Sequence, residues 1–491
     1  MARIVSEAKA PELVEHVMRP FLSGLANYFH VHLRIHKAHV VMLGECKLLS
    51  APEAAEILAA LQRLGAAGLE GMDMHPDTDL YMQMEAFVRK HAPQAGGKMH
   101  MGRSRNDLYA CAGRMMARDK LAALLTTVLR LQQAVLAQAR QNATTVMPGY
   151  THLQHAEPVT LGHFLLAFHD ALARDARRLA EAFDAANQNA LGAAALAGSS
   201  FALDRQRTTE LLGFDGVVEN TYDAVAGRDY ILQAASAAAV LASTIARVVD
   251  TLIVWSTSEF GMLEMPDSYA YTSSIMPQKR NPSYFFESVR SKAARVSGDL
   301  ASALFTLKGT TFIQSRETSF EVTVPAFRAL DEALGAAEVM RGVVSSMIVR
   351  ADRMRENCAS EFSGATEVAN LLVREKGLDF RSAYQVVAST VRVAVERELR
   401  PAEVDGALVD EVARAELGRP VGMTDAQVRM ALDPAQNVEL KVTAGSPGRA
   451  EVLRMLDDRD SSHRSLLDQH ETRLHRLAQA DRQLAAVAAI S

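Results

Sequence analysis

Residues 161–179 have the sequence LGHFLLAFHDALARDARRL, in which apolar side chains recur every three or four positions. That spacing places them on one face of a helix, and Pro158 just before the stretch is typical of a helix start. Strand-like alternation is short and rare elsewhere, so the sequence predicts an all-α fold with a minor hairpin or two at most. The helical period recurs in the segments 52–65, 112–141, 230–258, 284–305, 326–349 and 366–398.

Residues 234–255, AASAAAVLASTIARVVDTLIVW, are almost entirely apolar and long enough to span a bilayer. The stretch contains Arg247 and Asp250, however, and a charged side chain deep in lipid is costly. These features favour a helix buried in the middle of a bundle over a membrane span.

The composition is that of an ordinary soluble protein, with 491 residues, 48% of them hydrophobic and 23% charged. The net charge of −5 argues against nucleic acid as a partner, because phosphate binding needs a basic face. Cys46, Cys111 and Cys358 lie far apart, which fits a reduced cytosol better than a disulfide framework. Residues 1–10 contain no apolar signal core, so we expect a cytoplasmic protein.

The distribution of helical segments predicts three domains. The long central helices begin near residue 110 and end near residue 365. We therefore expect an N-terminal helical domain at 1–110, a central long-helix bundle at 111–365 and a C-terminal helical domain at 366–491. A polar loop at 265–285 separates two buried helices of the central bundle.

Residues 273–282, SSIMPQKRNP, combine two hydroxyls, a lysine and an asparagine in a loop closed by two prolines. Lys279 supplies positive charge and Asn281 a directed donor, which suits binding of an anion or a developing oxyanion. By periodicity alone the segment would be a serine-rich connector. Its serine pair, Met-Pro, Lys and Asn-Pro, in that spacing, resemble the signature loop of the fumarase/aspartase superfamily.

Two further segments are similar to one family within that superfamily. Residues 102–107, GRSRND, resemble the hexapeptide of the argininosuccinate lyase family, and residues 148–154, PGYTHLQ, resemble its Thr-His segment. The resemblance extends over about residues 70–400. Weaker similarity lies in 203–205, 228–229, 306–309 and 365–367.

The resemblance implies an N-terminal helical domain, a central bundle of five long helices and a small C-terminal helical domain. It also implies a homotetramer whose active sites are each built from three subunits, and an activity that needs no metal and no cofactor. These enzymes cleave an N-substituted aspartate by anti β-elimination, in which a Cβ proton is removed and fumarate is released. The carboxylate beside that proton becomes an aci-carboxylate, so it needs cations and donors around it.

The resemblance assigns roles to individual residues. Ser273 is the base, and Lys279 with backbone amides of the loop would stabilise its alkoxide. Asn281 and Lys279 would hold the aci-carboxylate, and Ser274 lies beside them. His152 is the second catalytic residue, either as proton donor or as orienting group. The carboxylates of the part that leaves as fumarate would be held by Ser104, Arg105, Asn106 and Thr151.

Other histidines admit a structural or a metal-binding interpretation. His32, His36 and His39 share a helix face with His30 nearby, but no neighbouring carboxylate or cysteine completes a ligand set. Metal binding is therefore not expected. His155, His163 and His169 lie near the predicted helix but outside the Thr-His motif, and we interpret them as structural.

The sequence departs from the family where the arginine part of the substrate is held. The family has a tyrosine, a glutamine and a lysine in the segment after Thr-Leu-Lys-Gly, where this chain has Gln314, Ser319 and Val322. Replacing the lysine by a valine removes a carboxylate partner. Tyr81 also replaces a histidine, and Glu287 lies one position away from the family's histidine-orienting glutamate.

We therefore expect a fumarate-releasing lyase with a non-arginine amine, of the kind of ethylenediaminedisuccinate (EDDS) lyase, which cleaves aminopolycarboxylates. Gln314 and Ser319 become candidate substrate-binding residues. Argininosuccinate lyase itself and a catalytically silent structural member remain alternatives, and adenylosuccinate lyase is disfavoured by the two motifs above. Candidate cations for an added distal carboxylate are Lys308, Arg316, Arg34 and His36.

Overall fold

The structure is a computed structural model that describes residues 9–19, 22, 24, 26–75, 78–281 and 283–490. A helical turn at Pro11–Leu13 continues as a π-helical turn at Val14–Met18. Asp79 caps the third N-terminal helix by accepting a hydrogen bond from the Met82 amide at 2.9 Å. The N-terminal helices are α1 (Phe29–Glu45), α2 (Ala51–Ala67) and α3 (Leu80–His91).

Five long helices form the central bundle, and two short helices lie between the second and the third of them. In chain order they are α4 (Arg105–Gln141), α5 (Leu161–Ala186), short α6 (Arg205–Leu212) and α7 (Thr221–Ala226), α8 (Asp229–Trp255), α9 (Ser283–Lys308) and α10 (Thr323–Ser346). Contacts between side chains fix their directions. Arg114 on α4 reaches the Ala185 carbonyl at the end of α5, Lys120 on α4 pairs with Asp331 on α10, and Arg290 on α9 pairs with Asp250 on α8.

The long helices alternate in direction, so the bundle has two distinct ends. We call the end where α4, α8 and α10 begin the base, and the end where they finish the top. Helices α5 and α9 run the opposite way, from top to base. The 27 residues of α8 span about 40 Å at 1.5 Å per residue. A residue at the base therefore lies far from any residue at the top of the same chain.

Four small two-stranded sheets accompany the helices in the described residues. At the top, β1 (Val146–Thr151) and β2 (Gln154–Thr160) form an antiparallel hairpin. The others pair β3 (Gln188–Asn189) with β4 (Gly216–Val217), β5 (Leu263–Glu264) with β8 (Ile348–Val349), and β6 (Tyr271–Thr272) with β7 (Arg280–Asn281). The all-α fold class is confirmed, with these sheets as minor additions.

The C-terminal part contains a second apolar core and a long final helix. Its helices are α11 (Ala351–Ser360), α12 (Ala365–Lys376), α13 (Phe380–Glu396), α14 (Gly406–Leu417), α15 (Asp425–Leu432), α16 (Pro434–Glu439) and α17 (Arg449–Ile490). Helices α12–α15 share the separate core. The predicted single helix over 366–398 is wrong, because Gly377 adopts a φ of +67° and Asp379 caps a new helix.

The domain boundaries near 110 and 365 stay a prediction, with two structural qualifications. Helix α4 already begins at Arg105. Helix α17 lies along the central bundle, where Arg459 pairs with Asp170 on α5 and His470 contacts Thr126 on α4. Residues 366–491 therefore contain two packing units rather than one.

Helix α8 is not enclosed on all sides within one chain, so this chain alone supplies only part of the predicted burial in the middle of a bundle. It packs against α5, α9 and α10, but Gln233, Val240, Ser243 and Arg247 are exposed at three- to seven-residue spacings. Helices α4 and α8 are long and apolar enough to cross a membrane by length and composition, with 61% and 39% of their apolar windows buried. Core helices pass the same test.

Candidate active site

The loop that contains Ser273 is closed by the β6–β7 pair at the top of the bundle. Tyr271 lies opposite Asn281 and Thr272 opposite Arg280, so residues 273–279 connect the two strands. The backbone N–H groups of Ile275 and Met276 donate to Ser273 Oγ at 3.3 and 3.1 Å. Donors aimed at the oxygen stabilise its negatively charged form, as a serine base requires.

Lys279 and Ser274 are exposed on the same loop. The Lys279 amide donates to the Met276 carbonyl at 2.9 Å, which fixes the turn before the lysine side chain. The side chain of Asn281 lies outside the described part of the structure, although its backbone pairs in β7. The loop therefore presents a hydroxyl and an ammonium group to the outside of the chain.

Arg280 anchors this loop, a role that the sequence analysis missed. Its guanidinium donates to Asp267 at 2.8 and 3.0 Å, to Glu264 at 3.1 Å and to the Met265 carbonyl. The sequence contained a signal for this role, because Arg280 follows two acidic residues, Glu264 and Asp267, near the start of the same loop. Glu264 and Asp267 are thereby both paired with Arg280.

The predicted catalytic His152 lies in the two-residue turn of the β1–β2 hairpin. His152 and Leu153 have φ values of 53° and 59°, and the Leu153 side chain is 74% exposed. Turns of this kind normally use glycine or asparagine, and a strained non-glycine residue costs about 1–3 kcal/mol. Strain of this size at a solvent-facing turn is typical of functional sites. Thr151 precedes the turn and is also exposed.

Ser104, Arg105 and Asn106 lie at the base, where α4 begins. Ser104 caps the helix by accepting from the Asn106 amide at 3.3 Å. Arg105 donates to Asp79 at 2.5 Å, and the Asn106 side chain donates to the Ala195 carbonyl at 3.1 Å. All three side chains are at least partly exposed, so this helix start can bind an anionic group.

Asp107 is the buried support of this group and was not predicted. Its carboxylate accepts from the Ser104 amide at 2.9 Å and from the Gly192 and Ala194 amides at 2.9 and 3.0 Å. Burial raises the pKa of Asp107 to about 6, although these hydrogen bonds and Arg103 oppose the rise. The single carboxylate thereby ties the helix start to the loop after β3.

Gln314, Ser319 and Val322 also lie at the base. The Gln314 side-chain amide donates to Ser319 Oγ at 2.8 Å. Ser319 is 5% exposed and Val322 is fully buried at the end of a π-helical turn, Glu317–Glu321. The Phe320 ring packs on the Tyr109 ring of α4 with 4.6 Å between centroids. This segment therefore borders the Ser104 group.

The candidate residues form two groups at opposite ends of one chain. The base group contains Ser104, Arg105, Asn106, Gln314 and Ser319, and the top group contains Thr151, His152, Ser273, Ser274 and Lys279. The helices that separate the two ends span about 40 Å. Cleavage of an N-substituted aspartate, however, needs the residue that accepts its proton and the residues that bind its carboxylates within a few ångströms of one another. A single chain therefore does not bring the two groups together.

Three of the four candidate cations for a distal carboxylate are engaged elsewhere. His36 is fully buried, and burial beside Arg103 holds its pKa well below the usual value, so the prediction that it supplies a cation is wrong. Arg34 pairs with Asp481 and lies 3.9 Å from Asp119, and Arg316 pairs with Glu321 at 2.7 Å. Lys308 is exposed at the base end of α9.

The histidine face of α1 is confirmed as a shared face, and it points into the protein. His32, His36 and His39 are fully buried, with His39 bonded to the Met101 carbonyl at 2.9 Å and Arg103 donating to His36. No group of three histidine, cysteine or acidic side chains that could hold a metal occurs among the described residues. Tyr81 is likewise buried and donates to Glu85 at 2.8 Å.

Comparisons with known proteins agree with this architecture. A family model described as Lyase matches residues 25–298, and one described as Argininosuccinate lyase C-terminal matches residues 362–439. The argininosuccinate lyase of Methanothermobacter thermautotrophicus is 37% identical over 87% of this chain and 91% of its own length. Argininosuccinate lyase 1 of Shouchella clausii is 34% identical over 94% of both chains.

Solved structures lead to the same family. An EDDS lyase variant with bound fumarate and EDDS lyase in complex with formate each superpose with a TM-score of 0.88 at 34% identity, covering 98% of this chain and 96% of theirs. A fumarate lyase from Mesorhizobium sp. BNC1, at 22% identity and a TM-score of 0.69, shares the fold. The chain thus belongs to the argininosuccinate lyase family of the fumarase/aspartase superfamily and is a fumarate-releasing carbon–nitrogen lyase.

Proposed function

We propose that this lyase cleaves an N-substituted aspartate whose amine part is not arginine, with an aminopolycarboxylate of the EDDS type as the substrate class. The observation that carries the proposal is the segment at the base in which Gln314 bonds to Ser319 and Val322 is fully buried. A buried valine offers no charge to the carboxylate of an arginine product. The 34% identity to EDDS lyase across nearly the whole chain supports the same class.

In the proposed elimination, Ser273 removes the Cβ proton and the C–N bond breaks towards nitrogen. The amides of Ile275 and Met276 stabilise the alkoxide that the base requires. Lys279 and Asn281 hold the aci-carboxylate, with Ser274 beside them. His152 acts on the nitrogen side or orients the reacting groups. Proton transfer and charge stabilisation then supply the rate enhancement.

The other carboxylates of the substrate are assigned to the Ser104 group and Thr151. Arg105 offers a planar, bidentate donor, and Ser104 and Asn106 add donors at a helix start. Arg105 is held by Asp79 at 2.5 Å, so a substrate carboxylate would exchange one anionic partner for another. Lys308, exposed at the same end, is the remaining candidate for a distal carboxylate.

We further propose that the active form is a homotetramer in which three subunits contribute to each site. The base and top groups lie about 40 Å apart along the helices, so a complete set requires residues from different copies. The side of α8 that carries Gln233, Val240, Ser243 and Arg247 is left uncovered by the other helices of the same chain, so it is available for contact with another copy. Glu287, exposed near the start of α9, stays a candidate for orienting His152.

Argininosuccinate lyase activity is the second candidate, favoured by a specific observation. Curated relatives at 34–37% identity, covering 87–94% of this chain, are argininosuccinate lyases. In that case the arginine part would be held by residues other than those at positions 314, 319 and 322.

The test is fumarate release, measured by absorbance at 240 nm, with EDDS and argininosuccinate compared at equal concentrations. We expect release from EDDS at an enzyme-like rate and at most slow release from argininosuccinate. The Ser319→Ala variant removes the acceptor of Gln314 and is expected to lower kcat/KM for EDDS about tenfold. Ser382→Ala, in the first turn of α13 and far along the chain from the candidate residues, is the matched control. Efficient cleavage of argininosuccinate alone would contradict the proposal.

A further inference from the structure

Glu367 is a buried carboxylate in the first turn of α12, far along the chain from the candidate catalytic residues. Only 2% of it is exposed. Three side chains donate to this carboxylate, from Asn370 at 3.0 Å, Lys441 at 3.2 Å and Arg374 at 3.4 Å. A buried charge is tolerated only with partners of this kind. Glu367 is therefore the centre of a polar network in the C-terminal part of the chain.

Lys441 connects this network to the β1–β2 hairpin that carries His152. It lies in the loop between α16 and α17, and its Nζ donates to Glu367 and also to Glu157 on β2, at 3.3 Å. The side chains of Glu367 and Lys441 are 2% and 16% exposed, whereas that of Glu157 is 45% exposed. The ammonium group therefore bridges a buried carboxylate of the C-terminal part and a carboxylate of the hairpin.

The bridge reaches the hairpin at a β-bulge. The register of the two strands shifts between Pro148 and Tyr150, so that residues 156–157 of β2 lie opposite the single Gly149 of β1. A Cβ at Gly149 would lie 2.7 Å from a carbonyl oxygen of β2, so the strands approach closely at this point. A bulge bends and twists a hairpin, and it thereby sets the direction of the strands beyond it. The turn with His152 lies beyond this bulge.

The two halves of the hairpin have different surroundings. Near the start of β1, Val146 packs with Cys358 of α11 and Val438 of α16 in a small buried cluster. Beyond the bulge, a cleft of about 710 Å³ lies between the hairpin and the start of α12. The cleft is lined by residues 150 and 153–157 of the hairpin and by residues 260, 361–363 and 366. Apolar packing thus fixes the inner half, and the Lys441 bridge acts at the boundary with the outer half.

We propose that Lys441 and Glu367 are positioning residues for the elimination. The buried carboxylate holds Lys441 against the bulge, and the bulge sets the direction of the turn that presents His152. This assignment rests on the role of His152 in the proposed function. A misplacement of about 1 Å can lower a rate about 10²-fold. Loss of the bridge should therefore lower kcat and leave KM nearly unchanged.

Steady-state kinetics of fumarate release by the full-length enzyme test the proposal, with whichever of EDDS and argininosuccinate is cleaved faster. Lys441→Met keeps the length of the side chain and removes its charge, and we expect kcat to fall about tenfold with KM changed less than about twofold. Lys441→Arg restores a cation and should bring kcat back to within about twofold of wild type. Lys376→Met, at the end of α12 where the lysine bonds to the Gly422 carbonyl, is the matched control and should change nothing.

Combination with His152→Ala separates positioning from a general loss of structure. If Lys441 acts through His152, Lys441→Met should lower kcat no further in the His152→Ala background. A general structural defect would lower kcat by the same factor in both backgrounds. Glu157→Met removes only the exposed end of the bridge and leaves Glu367 paired, so it provides a variant without an unpaired buried carboxylate. We expect it to lower kcat about threefold.

Thermal melting of each variant reports whether it is folded. A wild-type kcat in Glu157→Met, or equal factors for Lys441→Met in the two backgrounds, would overturn the positioning role while His152→Ala is inactive. Full activity of His152→Ala would overturn the role of His152 in the proposed function, and the positioning role with it.

Discussion

The two ends of the bundle carry candidate residues in different structural settings. At the top, Ser273 and His152 lie on an exposed loop and a strained turn, held by hydrogen bonds from backbone amides and by Arg280. At the base, Ser104 and Arg105 lie on the first residues of a long helix, supported by the buried Asp107. The proposed carboxylate ligands Ser104 and Arg105 thus lie on a helix start, and the proposed proton-transfer residues Ser273 and His152 lie on a loop and a turn.

Replacing Ser273, the proposed proton acceptor at the top of the bundle, should have the largest effect. Ser273→Ala removes the oxygen to which the Ile275 and Met276 amides donate, and kcat for fumarate release should fall about 10²–10⁴-fold. Ser291→Ala, whose hydroxyl only bonds to its own helix, should retain full activity. Gel filtration should show an unchanged oligomer. Full activity of the Ser273→Ala variant would show that Ser273 in the top group takes no part in the reaction.

Replacing a residue of the base group should mainly weaken substrate binding. Arg105→Ala deletes a charge-assisted donor, which is worth about 1.5–3 kcal/mol, and kcat/KM should fall about 10–100-fold. Arg89→Ala, an exposed arginine on α3, serves as control. An Arg105→Ala variant with normal kinetics would show that only one end of the bundle takes part.

Asp107 at the base makes the free energy of unfolding depend on pH. Its folded pKa of about 6 lies above the ordinary aspartate value of 3.8, so the folded state binds the proton more tightly. The contribution of Asp107 to the free energy of unfolding therefore rises as pH falls through about 6 and levels off near 4, by about 1 kcal/mol between pH 7.5 and 5. Urea unfolding of wild type and Asp107→Asn measures this, and a constant difference between them would contradict it.

The strained turn at the top predicts the smallest effect. Leu153→Gly replaces an exposed side chain at a φ of 59°, where glycine is unstrained. The melting temperature should stay the same or rise, corresponding to at most about 1 kcal/mol. Leu153→Val, a β-branched residue with less access to positive φ, should lower it. A lower melting temperature for the glycine variant would mean that the turn is not strained.

Local features of the fold were predictable because helical periodicity is a local signal. The helices after Pro158 and around 230–258 are where the spacing of apolar residues places them. The break at Gly377 was not recognised, because apolar residues continue in step on both sides of it. The exposed stripe of α8 was missed as well, since small residues such as Ala and Ser fit buried and exposed positions alike.

The candidate site was predictable only as separate motifs. Ser104, His152 and Ser273 lie in recognisable segments, but no sequence pattern shows how far apart these segments lie in the folded chain. The supports Asp107 and Arg280 act through contacts with distant loop amides and carboxylates, which depend on the tertiary fold. The neutral state of His36 likewise depends on burial beside Arg103, so its apparent positive charge could not be judged from the sequence.

The central claim is that residues from different copies complete each site. Co-expression of Ser273→Ala with Arg105→Ala tests it, because each variant alone lacks one end. Randomly mixed oligomers should recover up to about one quarter of the wild-type rate of fumarate release, since a site that combines intact ends from two copies is then possible. Activity that stays at the level of the single variants, in oligomers shown to contain both chains, would contradict the account.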